Sequence, residues 1–194
     1  FRFDDPTLAV EAFGLKFRNR VGLAAGYDKN GIALPGLAAL GFGHIEVGTI
    51  TGNAQDGNLR PRVFRLRENE ALINRMGFPN EGVESFIKSN LRRSVKSVDK
   101  QFILGVNIGK SKDTPLENAV EEYCALLTQV TPFADYVAIN ISSPNTPQLR
   151  QLQTKKFVME LLLALSRQRS AESRRVPLLV KIAPDLTWQE IDDV

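Results

Sequence analysis

The chain has 194 residues, of which 43% are hydrophobic and 24% are charged, and this balance argues against an intrinsically disordered protein. A net charge of +3 is too small to indicate a nucleic-acid-binding protein by itself. The single cysteine, Cys124, and the single histidine, His44, exclude a disulfide framework, a cysteine metal site and a histidine cluster. No stretch approaches the roughly 18 apolar residues of a membrane span.

In the first half of the chain, apolar strands alternate with turns and helical patterns. Strands are indicated by apolar runs between Gly, Pro and Asn, and helices by apolar residues spaced three and four apart. The predicted elements, in chain order, are a hairpin over 8–17, a strand over 21–26, a helix over 32–40, a strand over 45–50, a second hairpin over 63–74 and a helix from about 82 to 93.

The second half continues the alternation and adds two helix-start signals. Residues 114–117 and 187–190 each have a threonine followed three positions later by a glutamate, which is the capping-box pattern. The predicted elements are a strand over 102–108, a helix from 114 to 130, a strand over 136–140, a helix whose apolar face spans 157–165, a strand over 178–183 and a helix that starts at 187.

This alternation predicts one α/β domain, residues 1–194, with a parallel sheet covered by helices. Both an open doubly wound sheet and a (β/α)8 barrel (TIM barrel) fit the pattern. No G-x-G-x-x-G follows the first strand, so the barrel is preferred. Eight strands typically need about 250 residues, so five strands after an N-terminal hairpin predict an incomplete barrel with one exposed strand edge.

Polar residues follow the apolar strands at their carboxyl ends. In a barrel these residues meet at one mouth, where active sites of this fold lie. Asparagine amides suit a planar heterocycle such as a flavin or a pyrimidine, although one such residue alone is more often a turn former. Lys181 lies in an otherwise apolar strand and needs either a carboxylate partner or a developing negative charge. The set comprises Lys29, Thr49, Asn74, Asn107, Asn140 and Lys181.

The stretch 136–149, Y-V-A-I-N-I-S-S-P-N-T-P-Q-L, ends a buried strand in a loop with two serines and an asparagine. Pro144 prevents the strand from continuing. Alone, the segment is more typical of a polar turn than of a catalytic loop with a serine base. The other strand-end residues favour the catalytic loop.

Six motifs in this order resemble dihydroorotate dehydrogenase: V-G-L-A-A-G-Y-D-K-N-G, N-L-R-P-R-V-F-R-L, N-R-M-G-F, L-G-V-N-I-G-K, N-I-S-S-P-N-T and L-V-K-I-A-P-D-L-T. The serine of S-S-P-N-T resembles the quinone-using class 2 enzymes. The chain departs from the usual motifs at Arg20, where proline is common, and at Pro79, where asparagine is common. The later barrel strands, with the glycine-rich loops that hold the flavin phosphate, have no counterpart here.

The resemblance implies that dihydroorotate is oxidised to orotate in pyrimidine biosynthesis, with FMN as cofactor and a quinone as acceptor. It implies that Ser143 is the base, with a proton exit through Thr146 and Phe78, and that Arg65 lies at the quinone tunnel. The implied flavin contacts are Ala25, Gly26, Lys29, Thr49, Asn107, Asn140 and Lys181. The implied substrate contacts are Lys29, Asn74, Arg75, Met76, Gly77, Phe78, Asn140 and Asn145.

The resemblance also implies peripheral membrane association through an N-terminal module, on the bacterial cytoplasmic membrane rather than the mitochondrial inner membrane. No metal and no nucleic acid are expected. The chain starts without methionine and stops in a helix just begun, so it is interpreted as a fragment that retains FMN poorly. Two alternatives are a catalytically incompetent barrel fragment and an FMN-barrel enzyme that reduces RNA uridines. Enzymes of the second kind use a cysteine as the acid. That alternative is disfavoured because Cys124 falls in a helical pattern rather than in a strand-end loop.

Overall fold

The computed structural model describes residues 5–91, 102–146 and 149–193. The strands in these residues are β1 (Val10–Ala12), β2 (Leu15–Phe17), β3 (Gly22–Leu23), β4 (His44–Ile50), β5 (Val63–Leu66), β6 (Ala71–Asn74), β7 (Ile103–Ile108), β8 (Tyr136–Asn140) and β9 (Leu178–Lys181). The helices are α1 (Leu34–Ala39), α2 (Gly82–Ser85), α3 (Ala119–Val130), α4 (Lys155–Ala171) and α5 (Trp188–Asp193). Single turns of 3₁₀ helix lie at Pro6–Leu8, Arg67–Asn69, Leu116–Asn118 and Leu149–Gln153.

The strands β3, β4, β7, β8 and β9 form one parallel sheet in that order. Each strand lies beside the preceding sheet strand in the chain, with a helix or a loop as the crossover. This order is that of a (β/α) barrel and not that of a doubly wound sheet, whose order reverses at a switch point. The fold is therefore a partial (β/α) barrel, and the barrel prediction is confirmed.

Two antiparallel hairpins flank this sheet, and both were predicted. In the first, β1 pairs with β2 and the turn residues Phe13 and Gly14 have φ of 54° and 74°, as a tight two-residue hairpin turn requires. In the second, β5 pairs with β6 so that Val63 lies opposite Asn74. This second hairpin ends where the N-R-M-G-F motif begins, so it carries that motif to the sheet.

The core lies between the sheet and its helices. Alternate residues of each strand point outward, and Ile45 and Val47 of β4 are fully buried on this outer face. Helix α3 packs against α4 and contributes Tyr123 and Leu127 to the same core. Because hydrophobic side chains fill the outer face, the inner face of the strands is left for polar groups such as Glu46.

Two predicted boundaries near the start of the chain were wrong, and the helix expected after 82 differs in type from the prediction. Strand β3 ends at Leu23 rather than at 26, because Gly26 has a φ of 105° and leaves the extended conformation. Helix α1 starts at Leu34 rather than at 32, because the Asp28 carboxylate accepts the N–H groups of residues 32 and 33 at 3.0 and 2.8 Å. The helix expected over 82–93 is α2 followed by a wider turn, Phe86–Leu91, and residues 92 and 93 lie outside the described residues.

The two capping-box predictions had opposite outcomes. At 114–117 the helix begins with a 3₁₀ turn whose cap residue is Pro115, and that cap makes no side-chain hydrogen bond within the described residues. At 187–190 the box is formed: Thr187 and Glu190 each accept the other's backbone N–H, at 3.3 and 2.7 Å. Strand β9 ends at Lys181, two residues early, because the Ala183 N–H is bound by a glutamine side chain at 2.9 Å.

Candidate active site

Three side chains at the ends of neighbouring strands form a buried hydrogen-bonded group. Thr49 donates from Oγ1 to Oδ1 of Asn107 at 2.6 Å. Asn140 donates from Nδ2 to Oγ1 of Thr49 at 3.0 Å and to Oδ1 of Asn107 at 3.2 Å. Gly48 allows the backbones of β4 and β7 to lie close together here, because a Cβ at Gly48 would overlap the backbone carbonyl oxygen of Asn107. The strand-end residues of β4, β7 and β8 therefore meet, as expected for a barrel mouth.

The loop after β8 is tied to this group through Asn140. The Oδ1 atom of Asn140 accepts the N–H of Ser142 at 3.1 Å and its hydroxyl at 2.9 Å. Ser143 accepts the N–H of Asn145 on its Oγ at 3.2 Å. Ser142 therefore anchors the start of the loop, and the hydroxyl of Ser143 is held inside the turn that follows.

An arch formed by residues 74–78 approaches the loop from the second hairpin. Asn145 donates from Nδ2 to the Asn74 carbonyl at 3.4 Å, which joins the loop to the arch. Gly77 and Phe78 have φ of 70° and 51°, and a phenylalanine in this left-handed region is strained. Asn80 holds the strained residue in place by donating to the Phe78 carbonyl at 2.8 Å.

The loop, the arch and the strand ends enclose one cavity of about 430 Å³. Gly26 opens onto it, because no atom lies within 4 Å of the position that a Cβ would occupy. The cavity therefore offers flat backbone on one side and amide, hydroxyl and ammonium groups on the others. Its lining residues are Ala25, Gly26, Lys29, Thr49, Asn74, Met76, Gly77, Phe78, Asn140, Ser142, Ser143, Pro144, Asn145 and Lys181.

Two lysines give the cavity positive charge. Burial, and then the nearby charge of Arg62, lower the pKa of Lys29 below its ordinary value, and its ammonium donates to the Gly26 carbonyl. Lys181 lies 3.8 Å from Oε1 of Glu46, and its side chain is 41% exposed. Lys181 thus has the carboxylate partner that its apolar strand requires, and it remains accessible from the cavity.

Five residues of interest lie away from the cavity wall. Asn107 is buried beneath the wall, where it supports Thr49 and Asn140. The hydroxyl of Thr146 is buried and has no hydrogen-bond partner among the described residues. The Arg75 guanidinium donates to the carbonyl of residue 61 at 3.0 and 3.2 Å, and Arg65 lies exposed on β5, opposite residue 72. Cys124 lies on α3, half-buried against the core.

Two polar residues that support the site were missed in the sequence. Glu46 lies in the middle of β4, where an apolar residue would be ordinary, and the apolar surroundings of Lys181 were the signal that a carboxylate must lie opposite. Asn80 follows a proline in what reads as a turn, and no pattern in the sequence distinguishes it from an ordinary turn former. Within the described segments, no helix has the length and hydrophobicity that crossing a bilayer requires.

Comparison with known proteins adds to this geometry. The family profile of dihydroorotate dehydrogenase matches residues 7–194. A Burkholderia lata protein named dihydroorotate dehydrogenase (quinone) is 56% identical over 193 residues, which are 97% of this chain and 54% of that protein. A Polaromonas naphthalenivorans protein of the same name is 52% identical over 184 residues, covering 91% of this chain and 52% of that protein.

Solved structures agree with the sequence relatives. The crystal structure of DHODH from Eimeria tenella in complex with ferulenol has a TM-score of 0.90 and 40% identity, and the match covers 98% of this chain and 56% of that one. The ligand-free structure from the same organism has a TM-score of 0.89. The chain spans about half the length of the curated relatives it matches. On the profile match, the sequence identities and the shared fold, the chain belongs to the dihydroorotate dehydrogenase family.

Proposed function

We propose that the complete gene product oxidises dihydroorotate to orotate with FMN as cofactor and a quinone as final acceptor. The observation that carries the proposal is the cavity itself, which brings a loop serine, two lysines and three asparagine side chains together around one space. Such a set can bind a planar anionic ring and remove a proton from it. The names of the curated relatives support the substrate and the acceptor.

The donor set fits a flavin. Ala25 and Gly26 offer a surface without bulk, against which a flat ring can lie. Thr49, Asn140 and Lys181 present donors and acceptors to the same space, and Asn107 reinforces them from below. The chemistry that bound FMN supplies is acceptance of a hydride and onward transfer of its electrons. The positive charge of Lys181 would stabilise negative charge that develops on a flavin bound in this cavity.

Dihydroorotate carries a carboxylate and amide-like ring edges. The ammonium of Lys29 is the group suited to the carboxylate, since it lines the cavity and carries a positive charge. Asn74, Asn140 and Asn145 are suited to the ring amides, because each offers a donor and an acceptor in one plane. The bond between Asn145 and the Asn74 carbonyl keeps loop and arch together around the ring.

Ser143 is the proposed base. A serine hydroxyl is a weak base and needs help when it gives up or takes a proton. The Asn145 N–H donates to its oxygen at 3.2 Å, and such a bond favours the oxygen carrying more negative charge. Thr146 has a buried hydroxyl without a partner among the described residues, so it is the candidate to carry the proton outward past Phe78.

The electrons are proposed to leave towards a quinone at the membrane surface. The hairpin formed by β5 and β6 carries Arg65 and exposes Phe64, Leu72 and Ile73, an amphipathic surface suited to a lipid-soluble quinone. Two of the relatives are bacterial proteins, which favours peripheral association with the bacterial cytoplasmic membrane.

Purification of the complete gene product tests the proposal. We expect flavin absorbance in the purified protein, bleaching of that absorbance by dihydroorotate without oxygen, and recovery on addition of a soluble quinone. Protein that binds no flavin, or whose flavin stays oxidised with dihydroorotate, would contradict the proposed function.

A further inference from the structure

Glu46 lies at one end of a chain of hydrogen bonds that reaches the loop after β8. Its Oε1 accepts from Nδ2 of Asn107 at 2.8 Å, and its Oε2 accepts from the Tyr136 hydroxyl at 3.0 Å. Gly105 leaves room for the tyrosine, because a Cβ there would overlap the tyrosine ring. The Glu46 side chain is 14% exposed and 3.8 Å from the Lys181 ammonium. The carboxylate therefore lies under the cavity, in contact with its supporting amide.

The Glu46 carboxylate sets the bond directions at its end of the chain, and the Ser142 N–H, which can only donate, requires the same arrangement at the other end. A carboxylate only accepts hydrogen bonds, so Asn107 must turn its NH₂ towards Glu46 and its Oδ1 towards Thr49 and Asn140. Asn140 must then turn its own NH₂ towards Oγ1 of Thr49 and Oδ1 of Asn107. Its Oδ1 is left for the N–H and hydroxyl of Ser142.

A neutral group at position 46 would remove this constraint. An amide can both donate and accept, so Asn107 could turn over, and Asn140 would then turn over with it. In that orientation Asn140 would present NH₂ to the N–H of Ser142, and the anchor of the loop that carries Ser143 would be lost. The negative charge of Glu46 excludes this second arrangement.

We propose that Glu46 is a positioning residue whose carboxylate fixes the orientation of the Asn107 and Asn140 amides and, through them, the loop that holds Ser143. The proposal rests on the proposed function only where it concerns turnover. The orientation itself also affects FMN affinity and the stability of the protein. It assigns a role to a residue that is not part of the cavity lining.

A double-mutant cycle in the complete gene product tests the role of Glu46. Glu46→Gln is expected to weaken FMN binding about tenfold and to lower kcat more than it changes KM. Asn107→Asp is expected to be worse, because it places two carboxylates against each other. The double variant Glu46→Gln/Asn107→Asp again pairs one amide NH₂ donor with one carboxylate acceptor, now in the reverse order, and it restores the total charge. It should therefore bind FMN about tenfold more tightly than Asn107→Asp alone.

Glu160→Gln is the matched control, because it makes the same change of charge at an exposed position of α4 that does not line the cavity. It should keep FMN affinity and the kcat to KM ratio within about twofold of wild type. Where Glu46→Gln does not fold, the comparison of Asn107→Asp with the double variant decides. Additive losses in the double variant, or wild-type FMN affinity in Glu46→Gln, would overturn the proposal.

Failure of the two proposals can be told apart. If the wild-type protein does not oxidise dihydroorotate, the proposed function fails, and the cycle is still read in FMN affinity. If the wild-type protein binds no FMN, the same cycle is read in the unfolding temperature. There, a double variant more stable than Asn107→Asp supports the role of Glu46, and one that is not opposes it.

Discussion

Lys29 and Lys181 line the same cavity although Lys29 comes after β3 and Lys181 ends β9, the two outermost strands of the parallel sheet. In a flat sheet, strands four positions apart would be separated by about 19 Å, which is too far for one small ligand to touch both. The sheet is therefore curved around its inner face. This curvature makes a binding site out of residues that are up to 156 positions apart in the chain, from Ala25 to Lys181.

Replacing Lys29 by methionine should flatten the pH dependence of stability at alkaline pH. The folded-state pKa of Lys29 lies below its ordinary value, so between those two values the unfolded chain binds more protons than the folded protein. Stability should therefore rise as the pH climbs through that window, and Lys29→Met should lose the rise. Urea unfolding of the cofactor-free protein from neutral pH to about pH 10 measures it. Lys16→Met, at an exposed position of the first hairpin, is the control, and an equal loss there would contradict the prediction.

Replacing Ser143 by alanine should slow flavin reduction by dihydroorotate about 10²- to 10⁴-fold, the usual contribution of a general base. Ser142→Ala removes one of two bonds to Asn140 and keeps the backbone N–H, so it should cost less than about tenfold. Stopped-flow absorbance of the bound flavin measures both rates. Flavin reduction at the wild-type rate in Ser143→Ala would show that another group is the base.

Replacing Thr49 by valine should destabilise the protein by about 1–3 kcal/mol, because the shape is kept and a buried donor is lost. Asn107 would lose its shortest side-chain bond, the one at 2.6 Å. Thr128→Val is the control, since its hydroxyl is exposed on α3 and bonded to Glu172, and it should change stability by less than about 0.5 kcal/mol. Equal effects of the two substitutions in urea unfolding would contradict the prediction.

Replacing Asn80 by alanine should release the strained arch. Its side chain bonds the Phe78 carbonyl, the N–H of Gly82 and both the N–H and the hydroxyl of Thr51. We expect a loss of about 2–4 kcal/mol in unfolding free energy and a larger increase in KM than decrease in kcat. Asn118→Ala, at an exposed position directly before α3, serves as the control. Retention of wild-type KM in Asn80→Ala would show that the arch is held by other contacts.

The sequence was sufficient for the order of the strands and for the residues at their ends. Asn107 and Asn140 could be placed because each lies at the carboxyl end of an apolar run, and the barrel geometry then brings those ends together. Lys29 could be placed because it closely follows such a run. These features are local in the chain. They become a site because the carboxyl ends of barrel strands meet at one mouth.

The supporting residues could not be placed in the same way. Glu46 and Tyr136 face the inside of the sheet through the two-residue period of their strands, but the choice of inner face depends on contacts between β4, β7 and β8. The capping box at 114–117 failed because Pro115 and the loop before it fix a different helix start. Boundaries such as the end of β3 depend on one glycine torsion, which no apolar pattern encodes.

Asn107 and its two neighbours point to opposite faces of β7, so the site forms only when β7 pairs in the correct register. Its neighbours Val106 and Ile108 are buried in the core on the opposite face of β7. A slip of β7 by one residue would bury the amide among the helices and present an aliphatic side chain to Thr49 and Asn140. A molecule paired in the wrong register could not hold the ligand of this cavity, so it would lack the stabilisation that binding gives and would be the form that proteases remove.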